Sequence, residues 1–192
     1  FKNLRPILGK VYKIENKHTN LTIEASLSAK TLSSLPDKNW LAHRWTIKDI
    51  DKGVVKNISL GDGSSYTGDV VAGYFDGTGE HILSGGYFTN GTFKKGQLIR
   101  GRGKVALADK SIYIGELINN NIPDGKGTLN TKNTTYKGEF SKGKFISNNG
   151  TGSKTYANKS EYYGSINAKG QAHGKGELIL TNGSKLRGQF NN

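Results

Sequence analysis

The chain has 192 residues, a formal net charge of +13 from 28 basic and 15 acidic residues, and no cysteine, which excludes disulfides, thiolate metal sites and cysteine nucleophiles. No apolar run approaches the ~20 residues that a membrane-crossing helix needs. Apolar residues make up 33%, and 27 glycines stand against three prolines, a balance that suits many tight turns between short strands better than long helices.

The first 65 residues are expected to form a small β-rich domain or a mostly-β cap, the cap favoured because its last strands run straight into the first repeat. "KVYKIEN" and "LTIEASL" alternate apolar and polar residues, so they read as two strands of a hairpin joined across "KHTN". "SAKTLSSL" reads as a short helix stopped near Pro36. "RWTIKDI" and "VVKNISL" read as two further strands separated by "DKG", the second running into the repeats through "GDG". A cap continuous with the following sheet would hide its first edge. Trp40 and Trp45 are expected to pack within it.

From residue 66 to 192 a period takes over. Gly68, Gly91, Gly115, Gly138, Gly164 and Gly188 are spaced by 23, 24, 23, 26 and 24 residues. Two positions after each stand Val70, Phe93, Leu117, Phe140, Ile166 and Phe190. Two positions before stand Tyr66, Thr89, Tyr113, Tyr136, Tyr162 and Leu186. Period two across the glycine is what a strand with one buried face produces. A second signature, G-x-G, follows in five units at Gly77/Gly79, Gly101/Gly103, Gly125/Gly127, Gly150/Gly152 and Gly174/Gly176, and apolar alternation resumes after it (Val105 and Leu107, Leu129, Leu178 and Leu180). Each unit therefore reads as a β-hairpin closed by turns such as "NNNIPDG" and "NAKG". One such hairpin is marginal alone, but stacking makes its apolar face continuous. The expected fold is all-β: an elongated, single-layer antiparallel sheet of stacked hairpins, with "LRGQF" (186–190) as a closing strand.

"YIGELINNNIPDGKGTL", "YKGEFSKGKFISNNGTGS" and "YYGSINAKGQAHGKGEL" resemble the MORN repeat, in about five units plus a terminal half-unit over residues 66–192. The first unit departs from the pattern with a nine-residue glycine spacing, the second has Thr89 in place of tyrosine, and the fourth carries a two-residue insertion near Phe145. The resemblance implies a scaffolding or assembly role, sometimes close to a membrane.

Catalytic chemistry finds little support. His18, His43, His81 and His173 lie in unrelated contexts without metal-ligand spacing, and the repeat already accounts for the glycine-rich loops. Asp69, Glu116 and Glu139 follow the ladder glycines and read as surface charge one unit apart. We expect a non-enzymatic protein with no cofactor and no metal. The candidate partner-binding residues are the aromatic column Tyr113, Tyr136 and Tyr162 with Phe93 and Phe140, and the cations Arg102, Lys126 and Lys175 at the middle of G-x-G. A protein partner is the leading expectation, and an anionic membrane the alternative. With only five arginines and no RNP-like motif, nucleic acid is not indicated. The "LRGQF" edge could self-associate. Seven N-x-S/T sites, at Asn20, Asn57, Asn90, Asn133, Asn149, Asn158 and Asn182, arise readily in a chain so rich in asparagine. A lysine- and asparagine-rich, cysteine-free chain lacking an initiator methionine fits an exported bacterial protein, periplasmic or envelope-associated, better than a cytoplasmic one.

Overall fold

The structure is a computed structural model that describes residues 7–34, 43–147 and 150–191. Among the described residues the strands form one open antiparallel sheet of 15 strands in hairpin order, with the short strand Lys144–Phe145 off the path and paired back on Thr134–Ser141. Contacts group the chain into two units, Phe1–Gly101 and Arg102–Asn192.

In the first unit β1 (Val11–Asn16) and β2 (Leu21–Leu27) form the expected hairpin, and α1 (Ala29–Ser34) follows. Pro36 and Trp40 lie outside the described residues. "RWTIKDI" is not a strand. Residues Ile47–Asp49 make a 3-10 turn, because the Asp49 carboxylate accepts the backbone N–H and the hydroxyl of Thr46. One long strand, β3 (Ile50–Ser59), then runs straight through "DKG". Gly53 serves close approach there rather than a turn: it stands opposite Ala25, and a side chain on it would collide with that residue. β3 pairs with β4 (Ser65–Val71), so the amino-terminal strands are continuous with the repeat sheet. β5 (Tyr74–Ile82) and β6 (Phe88–Lys94) follow, and the unit boundary falls within β7 (Gln97–Ala106). Ile23, Ala25, Ile50, Val55, Ile58, Tyr66 and Val70 are fully buried. The Tyr66 ring stacks on Phe75 at 3.9 Å, and Phe93 meets both edge-on.

The second unit holds β8 (Ile112–Ile118), β9 (Ile122–Asn130), β10 (Thr134–Ser141), β11 (Lys144–Phe145), β12 (Gly150–Thr155), β13 (Glu161–Ile166), β14 (Ala172–Ile179) and β15 (Lys185–Phe190). The glycine ladder is a physical row. Gly115 pairs with Gly127 and Gly127 with Gly138, while Gly152, Gly164, Gly176 and Gly188 form a second run. Between β10 and β12 the row slips, with Tyr136 rather than Gly138 opposite Gly152. The insertion is the cause: β11 brings the Phe145 ring against Gly138 and Gly150. Tyr136 packs instead against Phe145, 5.3 Å between ring centres, and against the turn at Gly170.

One device recurs in both units. After the ladder glycine the register shifts, at Gly68/Val70, Gly115/Leu117 and Gly164/Ile166, so the intervening residue bulges out of the ladder. The tyrosine three residues before the bulge donates its hydroxyl to the bulge carbonyl: Tyr66 to Asp69 (3.0 Å), Tyr113 to Glu116 (3.0 Å) and Tyr162 to Ser165 (2.7 Å). To reach it, each ring lies flat over the second glycine of its G-x-G, where a methyl group on Gly79, Gly127 or Gly176 would collide with ring and hydroxyl. Tyrosine and glycine are thus one unit of structure, in which the ring buries apolar area and its hydroxyl satisfies a carbonyl the ladder leaves free.

Two predictions follow from this contact. Gly127→Ala should cost about 1–3 kcal/mol in denaturant unfolding, and much of that cost should vanish in a Tyr113→Ala background, where the obstruction is gone; additive losses would refute the contact. Burial, with the charges of Glu116 and Asp124, pushes the Tyr113 hydroxyl up from 10.0 to about 12, against the opposing charge of Arg102; Tyr66 is shifted the same way, by burial first. The neutral phenol is favoured by folding, so this contribution is intact below pH 10 and declines as pH rises toward about 12. Spectrophotometric titration should show buried tyrosines ionising only as the fold is lost.

Candidate functional site

The structure separates the two groups of candidate residues. Tyr113 and Tyr162 are 0% exposed, Phe93 is 3% and Phe140 2%, while Tyr136 is half-buried against the Tyr162, Ile166 and Ala172 cluster. These rings form the core of the sheet's apolar face and are not an accessible stripe. The reason is the glycine row: without side chains of its own, it makes a channel that the tyrosine rings fill.

Arg102, Lys126 and Lys175 are exposed. Lys126 and Lys175 lie between inward-facing glycines, so strand alternation sets them on the other face of the sheet. Their row is mixed: Glu139 stands opposite Lys126, Gln189 opposite Lys175, and Lys137 stands between Thr128 and Thr151. The expected acidic column has a different task. Asp69 and Glu116, at the bulges, fold back over Gly77 and Gly125, and Asp69 accepts the backbone N–H of Thr78 at 2.7 Å.

Residues 102–192 contain 14 basic and 6 acidic residues, a net charge of +8. The acids are largely committed within the fold. Glu177 takes both Lys185 and Arg187, Glu161 accepts the Tyr163 hydroxyl, Asp124 accepts the backbone N–H of Lys142, and Asp109 holds Ser111. Bonds from Arg187 hold the Glu177 carboxyl below its usual range. The cations are therefore left in excess over free carboxylate.

A serine, a histidine and an aspartate do meet in the first unit. Ser64 donates to Asp62, and His81 Nε2 lies 3.4 Å from the Ser64 hydroxyl. The order is wrong for a nucleophile, because the serine proton already points at the carboxylate and, among the described residues, no further hydrogen bond orients the histidine. Burial lowers the His81 pKa, in keeping with its place opposite Tyr66 in the apolar face. The same turn recurs without histidine at Asp109/Ser111 and Asn158/Ser160, with a backbone bond closing each loop (Leu60 to Ser64, Leu107 to Ser111, Tyr156 to Ser160). It is the connector, built on [DN]-x-S, that precedes Tyr66, Tyr113, Tyr162 and Leu186. That motif was visible in the sequence at a fixed offset before the tyrosine. It also gives Asn158 and Asn182 a structural role as turn acceptors.

In the cap, burial opposes ionisation of Asp49, but hydrogen bonds from Thr46, Thr31 and His43 outweigh it and hold the carboxyl below its usual range. Trp45 is buried, and its ring meets that of His43 edge-on with 4.7 Å between ring centres. Among the described residues no group of three or more histidines or carboxylates could hold a metal ion, and no helix is long and apolar enough to cross a membrane. No family model and no curated protein matches the chain.

The connector is testable. Ser111→Ala should cost about 1 kcal/mol by removing its side-chain bond. Asp109→Asn should be tolerated, since asparagine fills the same position at Asn158. A neutral Ser111→Ala in thermal unfolding would contradict the role.

Proposed function

We propose that the chain is a non-catalytic, MORN-like binding and scaffolding protein that engages an acidic protein partner through exposed cations of residues 102–192. The observation that carries this reading is the separation of tasks in the structure. The recurring aromatics are consumed by packing, and the acids by bonds that hold turns and bulges, while Arg102, Lys126 and Lys175 remain exposed. Hydrogen-bonded strands hold such side chains at fixed spacing, so a partner pays little ordering cost on this side of the interface. The fold supports scaffolding because three of the hairpins are locked by their own tyrosine and glycine (Tyr66 with Gly79, Tyr113 with Gly127, Tyr162 with Gly176) and exposed positions can vary without loss of the sheet. The resemblance of the repeats to MORN units supports the same role, and an envelope or membrane-associated assembly is part of this proposal.

The same charge excess supports the second reading, a peripheral module on anionic lipid. Poly-glutamate and vesicles of mixed phosphatidylserine and phosphatidylcholine separate the two. The expected result is binding to poly-glutamate that persists near physiological salt, with vesicle binding lost at that salt. Substituting Arg102→Glu, Lys126→Glu and Lys175→Glu together should weaken poly-glutamate binding at least tenfold with an unchanged melting temperature. Undiminished binding by the triple variant would remove these cations from the interface, and salt-resistant vesicle binding would favour the lipid reading.

A further inference from the structure

Lysine occupies a conformation in the inter-repeat turns that a side chain disfavours. At the middle position of the [DN]-x-S connector, Gly63 and Gly183 have φ +84° and +83°, in the left-handed region where glycine is unstrained. The equivalent residues in two other connectors are Lys110 and Lys159, with φ 66° and 67°. Glycine would relieve each turn, and two connectors of this chain show that glycine fits. The lysines persist against local stability, and the turn chemistry itself does not call for them.

Lys159 borders a second unexplained feature. A shallow apolar depression of about 440 Å³ is lined by Tyr156, Ala157, Leu178 and Leu180, with Asn158 and Ser160 of the connector at its side. Leu178 pairs across strands with Leu186, which is 53% exposed. The Lys154 ammonium sits 5.4 Å from the centre of the Tyr156 ring. Apolar floor and cationic rim thus occur together at one edge of the sheet. Lys132, in the connector between β9 and β10, continues that edge two strands away, about 10 Å.

We infer that this depression seats a large apolar side chain of an acidic protein segment, whose carboxylates meet Lys154 and Lys159 and reach toward Lys132. The inference rests on the acidic-partner reading above and adds an anchor to it, on a different surface from Arg102, Lys126 and Lys175. Charge complementarity selects an acidic occupant. The apolar floor selects a peptide over a polyanion, since neither a phosphate chain nor a lipid headgroup has anything to place there. An extended peptide advances about 3.3 Å per residue, so acids three residues apart match the interval from Lys132 to Lys159.

The test uses the full chain and a fluorescein-labelled peptide with glutamates on both sides of a central phenylalanine, read by anisotropy. A control peptide carries serine for phenylalanine at identical charge. The phenylalanine peptide should bind at least tenfold more tightly than the control. Lys159→Gly should weaken it about tenfold while raising the melting temperature, because the turn strain is relieved. Ala157→Glu, at an exposed position on the depression, should also abolish the preference for phenylalanine. Equal binding of the two peptides, or unchanged affinity in both variants, would overturn the inference. If Lys159→Gly and Ala157→Glu have no effect while the triple variant at Arg102, Lys126 and Lys175 loses poly-glutamate binding, the anchor is wrong and the acidic-partner reading stands. Competition by phosphatidylserine vesicles or single-stranded DNA at equal charge, as effective as the phenylalanine peptide, would likewise overturn the anchor.

Discussion

The contact on which each regular hairpin depends is a tyrosine ring laid over a glycine with its hydroxyl on a bulge carbonyl. The bulge frees a main-chain carbonyl inside the apolar face, and such a group is costly to leave without a partner. The tyrosine supplies the donor, and only glycine leaves room for the ring to reach it. Register, bulge and burial are thereby set together, so a slip of one residue would cost the hydrogen bond and the packing at once. The fourth repeat shows how strictly the row must be filled. Where the insertion displaces the pattern, Phe145 takes over the glycines and Tyr136 moves aside to a neighbouring turn.

This constraint decides where recognition can occur. A residue that recurs because it locks the hairpin is unavailable to a partner, and the buried tyrosines and phenylalanines belong to that class. Four of the six carboxylates of residues 102–192, those of Asp109, Asp124, Glu161 and Glu177, are occupied in a similar way, in turn capping and cross-strand pairs. Variation is cheap only at positions the lock does not use, namely the middle residue of G-x-G and the outer positions of the connectors. Arg102, Lys126 and Lys175 occupy the first kind of position, and at two connectors Lys110 and Lys159 take a left-handed backbone that glycine would prefer.

The sheet was largely legible in the sequence because glycine and tyrosine recur at fixed spacing, and that spacing reports the lock directly. Hairpin order and strand positions follow from it, as does the amino-terminal hairpin from its alternation. The "DKG" segment misled because Gly53 is used for closeness to Ala25, and a sequence does not distinguish that from a turn. The aromatic column misled for a related reason: alternation gives a face without telling which face is covered. The acids at Asp69 and Glu116 looked like solvated charge, since nothing in the spacing reveals that a bulge turns them back over glycine. The [DN]-x-S connector was present throughout, but its meaning needed the loop bonds that Asp62, Asp109 and Asn158 make.

The most direct measurement is the hydroxyl proton spectrum of the tyrosines by nuclear magnetic resonance. The account predicts slowly exchanging hydroxyl protons for Tyr66, Tyr113 and Tyr162, each with cross-relaxation to the α-protons of Gly79, Gly127 and Gly176 respectively. Rapidly exchanging hydroxyls without those contacts would mean that the rings do not lock the hairpins. The aromatic column would then return as a candidate binding surface.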